Sequence, residues 1–149
     1  MATRYVHTNI IAADWKRLAA FYEGVFECRP VPPERDQSGE WLERGTGVRG
    51  AALRGVHLRL PGHGERGPTL EIYAYTEMKD KPPPAANRQG LGHLAFLVDD
   101  VEGVREAVLA RGGRDLGEVT KTEVQEVGTL TFIYMTDPEG NILEIQRWS

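Results

Sequence analysis

Two stretches of this chain repeat one another, and no other feature restricts its fold as much. His7-Thr8-Asn9-Ile10-Ile11-Ala12-Ala13-Asp14 begins with a histidine and reaches an aspartate seven residues later. His93-Leu94-Ala95-Phe96-Leu97-Val98-Asp99-Asp100 does the same. In both, the aspartates open a helical pattern. Leu70-Glu71-Ile72 and Leu143-Glu144-Ile145 are a second echo, one copy per half. Such self-similarity is the signature of one supersecondary unit used twice. The histidine and glutamate lie 64 positions apart in the first half and 51 in the second. The Gly- and charge-rich stretch 33–50 absorbs the difference.

Each half then offers one His and one Glu on strands. His7, Glu71, His93 and Glu144 make a mixed nitrogen and oxygen donor set suited to a divalent metal. A lone strand histidine is usually structural and a lone strand glutamate unremarkable; two of each at related positions are harder to dismiss. His57 shares its parity with Arg59 and is the main competing ligand, though it has no internal echo. His63 falls in a Gly-rich turn and reads as a solvated histidine.

Alternation predicts a strand over 4–11, with Tyr5, His7 and Asn9 on one face. Asp14 can cap the following helix. Trp15, Leu18, Ala19, Tyr22, Val25 and Phe26 recur at steps of three and four and form its apolar stripe. Residues 28–31 suit a short strand, which Pro30, Pro32 and Pro33 then stop. Residues 36–49 read as a long loop with a helical turn at 40–44 and Trp41 and Leu42 as its large apolar pair; it either covers a binding site or is a surface excursion anchored by Trp41. Strands are expected over 51–60 and 69–76, with a turn at 61–68 between them. On the second strand Leu70, Ile72 and Ala74 face a helix, and Glu71, Tyr73 and Tyr75 face away. Residues 77–89, with Pro82 to Pro84, form an extended connection.

The second half begins with a strand over 90–98. Asp99 or Asp100 caps a helix with the stripe Val101, Val104, Val108 and Leu109, and Gly112-Gly113 ends it. Strands over 114–122, 127–136 and 142–148 follow, with Asp137-Pro138-Glu139-Gly140-Asn141 turning between the last two. Each half thus reads as strand, helix and three strands. The fold class is α+β: two paired βαβββ modules forming a cupped mixed sheet with helices outside and a pocket inside. The expected organisation is one domain over 1–149, with module one at 1–80, a linker at 81–89 and module two at 90–149.

Composition adds exclusions. A net charge of -4 with no basic stripe argues against nucleic-acid or anionic-membrane surfaces. One cysteine, Cys28, rules out an intramolecular disulfide and fits a reducing, cytoplasmic setting as a buried thiol. No signal peptide or membrane-length apolar run is evident.

The residues that carry this reading also carry a resemblance. His7 on the first strand, Gly90-Leu91-Gly92-His93 with Val98-Asp99-Asp100, and Asp137-Pro138-Glu139-Gly140-Asn141 leading to Glu144 resemble the vicinal oxygen chelate superfamily. That group includes glyoxalase I, methylmalonyl-CoA epimerase, extradiol dioxygenases, fosfomycin-modifying enzymes and bleomycin-binding proteins. The resemblance covers nearly the whole chain and implies the paired-module fold. It places His7, Glu71, His93 and Glu144 at the four metal positions of glyoxalase I. Epimerases often have Gln at the position of Glu71; dioxygenases and fosfomycin enzymes have His there. Glu71 therefore favours the glyoxalase and epimerase side.

What this implies is one divalent transition metal per site (nickel, zinc, cobalt, manganese or iron). The implied enzyme is a glyoxalase I-like lyase or isomerase acting on a small oxygenated substrate through a metal-stabilised enediolate or enolate. Glu144 is the first candidate base and Glu71 the second. His57, Arg59, Trp41 and Tyr73 are candidate substrate-pocket residues. The alternatives are a methylmalonyl-CoA epimerase-like enzyme, an iron-dependent extradiol dioxygenase, or a metal-free bleomycin-type receptor. For the receptor, Trp41, Tyr73, Tyr75, Tyr134 and Trp148 supply stacking surface. The expected partner is a small-molecule substrate, with no nucleic acid and no membrane, and the family resemblance implies a homodimer.

Overall fold

The computed structural model describes residues 2–149 and divides into two compact units, Met1–Lys81 and Pro82–Ser149. In the first, the chain runs through β1 (His7–Ile11), α1 (Trp15–Phe26), β2 (Arg29–Ser38), α2 (Glu40–Thr46), β3 (Ala52–Arg59) and β4 (Thr69–Tyr75). These strands form one sheet in the order β1-β4-β3-β2. β1 and β4 are parallel, and the other pairs are antiparallel. Asp14 accepts from the Arg17 amide at 3.0 Å and so supplies one of the orphan donors of α1 with a partner. Leu18, Ala19, Phe21, Tyr22 and Phe26 are buried on α1, which packs on β3 and β4. Val56, Leu58, Leu70 and Ile72 are the buried residues of those strands. Phe21 joins this stripe and meets Tyr22 edge-on, at 5.1 Å between ring centres.

The second unit repeats the plan: β5 (Leu94–Leu97), α3 (Val101–Ala110), β6 (Arg114–Asp115), β7 (Thr120–Val124), β8 (Gly128–Thr136) and β9 (Ile142–Trp148). Its sheet has the order β5-β9-β8-β6, with β7 also on β8. β5 and β9 are parallel, and β8 and β9 antiparallel. Asp100 accepts from the Gly103 amide at 3.0 Å and caps α3 as Asp14 caps α1. Ile133, Met135, Leu143 and Ile145 are buried where α3 packs on β8 and β9. The fold is α+β, with two mixed sheets and three helices among the described residues. Replacing Asp100 by Ala removes the cap acceptor and should cost about 1 kcal/mol in urea unfolding. An unchanged midpoint would mean that water serves the Gly103 amide equally well.

Several local expectations are corrected. The prolines do not stop the strand after residue 31: β2 continues to Ser38 with a register shift between Val31 and Arg35. It is an edge strand, and Pro32 and Pro33 fall within the irregularity, where a missing N–H breaks no ladder bond, while Pro30 stays in register opposite Leu58. Within the expected loop, α2 is longer than one turn. Its anchor is buried Leu42, packed with Ala51, Leu53, Tyr73 and Tyr75, whereas Trp41 is 60% exposed. His93 stands one residue before β5, and Leu109 is exposed on α3. The strand expected over 114–122 is split into β6 and β7. The Leu116 and Gly117 amides both turn to the Tyr134 carbonyl at 3.0 Å. No helix among the described residues is long and apolar enough to cross a membrane.

Candidate functional site

The repeat seen in the sequence is also a repeat of register. In the first unit Asn9 is the partner of Glu71 across the parallel pair, and His7 lies two residues earlier on the same strand. In the second, Ala95 is the partner of Glu144, and His93 again lies two residues earlier. Strand alternation puts residues two apart on one face, so each histidine leans over the carboxylate of the neighbouring strand. His7 Nε2 is 3.3 Å from Glu71 Oε2, and His93 Nε2 is 3.0 Å from Glu144 Oε2. In both units the carboxylate side faces away from the helix, because Leu70, Ile72, Leu143 and Ile145 occupy the helix-facing positions.

The third strand distinguishes the two halves. His57 pairs with Glu71 across β3 and β4, and its Nε2 lies 3.1 Å from Glu71 Oε1. The corresponding partner of Glu144 is Tyr134, whose ring packs against His93 at 4.6 Å. Two residues along, Gly55 faces Tyr73 in the first unit, and Phe132 faces Gln146 in the second. The aromatic ring has moved from one strand of the pair to the other. Gly55 leaves room for the Tyr73 ring, since a Cβ there would lie 2.5 Å from Tyr73 Cδ1. The Tyr73 hydroxyl thereby comes within 2.6 Å of His57 Nε2.

Glu71 is thus held from several sides. Asn9 Nδ2 donates to its Oε2 at 3.4 Å, Tyr73 also hydrogen-bonds it, and its side chain is 9% exposed. Burial, then the charge of Glu71, pushes the Tyr73 hydroxyl up to about 12, so the phenol keeps its proton and donates. Burial is the first cause that lowers the His57 pKa, with Arg35 and His7 adding to it against the opposing pull of Glu71. A carboxylate only accepts, so the neutral His57 carries its proton on the Nε2 that faces Glu71. Among the described residues, Glu144 has one side-chain contact of this kind, to His93, and its side chain is 13% exposed.

These donors suit a divalent transition ion in kind. Neighbouring ligands of an ion with bonds of about 2.1 Å stand about 3.0–3.4 Å apart, which is the spacing of both His–Glu pairs. Each pair alone is too few for a metal centre. His7 and His57 reach different oxygens of Glu71, and among the described residues no group of three or more His, Cys, Asp or Glu side chains is arranged so that it could hold a metal ion.

The other sequence candidates fall in different places. His57 and Arg59 line a cavity of about 520 Å³ in the first unit. Tyr73 belongs to the Glu71 cluster. Trp41 stands on α2 with its indole donating to the Ser38 carbonyl at 3.0 Å. His63 is exposed. Cys28 is buried, and burial above all pushes its thiol up to about 12, which leaves it inert at neutral pH. Two neighbours escaped the sequence reading. Asn9 was detectable from its parity with His7. Arg35 was not, because residues 36–49 and the prolines before them read as loop.

A family model described as a glyoxalase-like domain matches residues 7–145. No curated protein matches the chain. Among solved structures, a glyoxalase family protein from Bacillus cereus is similar with a TM-score of 0.76 and 17% identity. The match covers 98% of this chain and 93% of that one. A glyoxylase/bleomycin resistance protein/dioxygenase domain from Frankia sp. EAN1pec has a TM-score of 0.59 at 16% identity, covering 100% and 98%. A glyoxalase/bleomycin resistance protein/dioxygenase family enzyme from Burkholderia phytofirmans PsJN has 0.57 at 16%, covering 96% and 97%. At such identities these likenesses speak for the fold.

Proposed function

The chain belongs to the glyoxalase-like domain family, and on that premise we propose that it is a divalent-metal-dependent lyase or isomerase of the glyoxalase I type. Its substrate on this reading is a small oxygenated molecule, and its metal donors are His7, Glu71, His93 and Glu144. The observation that carries the reading is the repeated register, which sets one imidazole beside one carboxylate in each unit at 3.3 and 3.0 Å. A bound divalent ion would polarise a substrate carbonyl as a Lewis acid and so acidify the carbon beside it.

The residues of the chain divide the remaining work unequally. Glu71 is tethered by His57, Asn9 and Tyr73, so it acts as a fixed ligand. Glu144 has fewer ties and can turn toward the substrate, which suits the carboxylate that takes and returns the proton. The family resemblance implies a homodimer.

The test is elemental analysis of gently purified protein beside His93→Ala. The expected result is about one equivalent of nickel, zinc, cobalt, manganese or iron per chain, lost in the variant. Wild-type protein that stays metal-free after reconstitution would overturn the reading and favour a metal-free ligand receptor.

A further inference from the structure

We propose that the cavity beside His57 is an anion subsite, and that the substrate carries a carboxylate or phosphate group held there. The proposal rests on the reading above, since it names the substrate class of the same site. The cavity has a volume of about 520 Å³, within the ordinary range for a small-molecule site. Arg4, Arg59 and Arg66 line it, with His57, Thr69 and Glu65. Three guanidiniums thus face a single carboxylate in a protein whose net charge is -4. None of the three arginines makes an ion pair among the described residues; the arginine bridges there are those of Arg44, Arg54 and Arg105.

Local structure accounts for the gathering. Arg4 comes just before β1, Arg59 ends β3, and Arg66 lies in the turn that leads into β4. These are neighbouring strands at one end of the sheet, so the turn and both strand ends converge there. Arg59 shares the face of His57, two residues away. It also donates to the Gly67 carbonyl, which steadies its position and leaves other N–H groups to bind a ligand. A guanidinium fork matches the paired oxygens of a carboxylate or phosphate, and partial exclusion of water strengthens such contacts.

The cavity leads to the candidate site. His57 lines it and also contacts Glu71 at 3.1 Å, while Thr69 lines it and is the strand partner of His7. A substrate anchored by its anionic end on the arginines would lay its remaining atoms past His57 toward Glu71. The substrate is therefore an oxygenated acid or phosphate ester, with the anionic group a few atoms from the reacting carbonyl. Neutral carbonyl compounds of the same size would lack this anchor.

The test is isothermal titration of the full-length, chelator-treated protein with inorganic phosphate and, separately, with succinate. Removing metal first makes this measurement independent of the proposed metal site: anion binding can succeed where metal retention fails, and the reverse. Saturable binding of either anion is expected, weaker at higher salt and weakened about tenfold by Arg66→Gln and by Arg59→Gln. The anion that binds more tightly identifies the source of the charge. Arg66 is exposed, so its variant serves even if loss of the Arg59–Gly67 bond disturbs the turn. Absence of saturable binding by both anions, or equal affinity in wild type and Arg66→Gln, would overturn the proposal.

Discussion

Gly55→Val is expected to destabilise the protein by roughly 3 kcal/mol or more, one of the larger single-residue effects in this chain. Gly55 is buried in the middle of β3, opposite Tyr73. A Cβ there would lie 2.1 Å from the Ile72 carbonyl oxygen and 2.5 Å from Tyr73 Cδ1. The carbonyl belongs to the β3–β4 ladder and cannot retreat without breaking register. The Tyr73 ring can retreat only by leaving the space over Gly55, and its hydroxyl would then part from His57. Two readouts should therefore change together: the urea midpoint falls, and the His57 ring signals shift in the NMR spectrum. A variant with the wild-type midpoint and unshifted His57 signals would show that the sheet flexes at this point, and the account of Gly55 as the room for Tyr73 would be abandoned.

Asp137→Ala should cost roughly 2–4 kcal/mol and lower Tm by roughly 5–10 °C. The Asp137 side chain is buried, with the residue 1% exposed. Its Oδ1 accepts from the Glu139 and Asn141 amides at 2.8 and 3.0 Å, and its Oδ2 from Asn141 Nδ2 at 2.8 Å. Alanine would leave these donors without their acceptor in a place that water reaches poorly, which costs more than an exposed hydrogen bond returns. The turn also joins β8 to β9, whose register sets Tyr134 opposite Glu144. Asp137→Asn keeps one acceptor oxygen and should fall between wild type and alanine. Equal melting temperatures for alanine and wild type would mean that the turn is held by its backbone bonds alone, such as Asp137 N to the Asn141 carbonyl at 2.9 Å.

The plan of each half is legible in the order of the residues. Spacing and alternation located the His7–Glu71 and His93–Glu144 pairs, the capped helices after Asp14 and Asp100, and the turn at Asp137. These are local properties: a cap acts within one turn of helix, and alternation sets the face of a strand whatever lies beside it. His7 and Glu71 were linked across 64 positions only because the second half repeats them. His57 had no such echo, and its place opposite Glu71 came from the antiparallel pairing of β3 with β4.

Features that depend on which strands are neighbours emerge only from the folded chain. β2 passes its prolines because it lies on a sheet edge, a position that no local rule reveals. Its continuation brings Arg35 close enough to act on His57. Arg4, Arg59 and Arg66 are scattered along the chain, and strand order gathers them at one cavity. The exchange of Gly55 and Tyr73 for Phe132 and Gln146 likewise becomes visible only once register is known. Pairing and register are set by the packing of whole sheets against their helices, a non-local balance of buried surface to which each residue contributes little by itself.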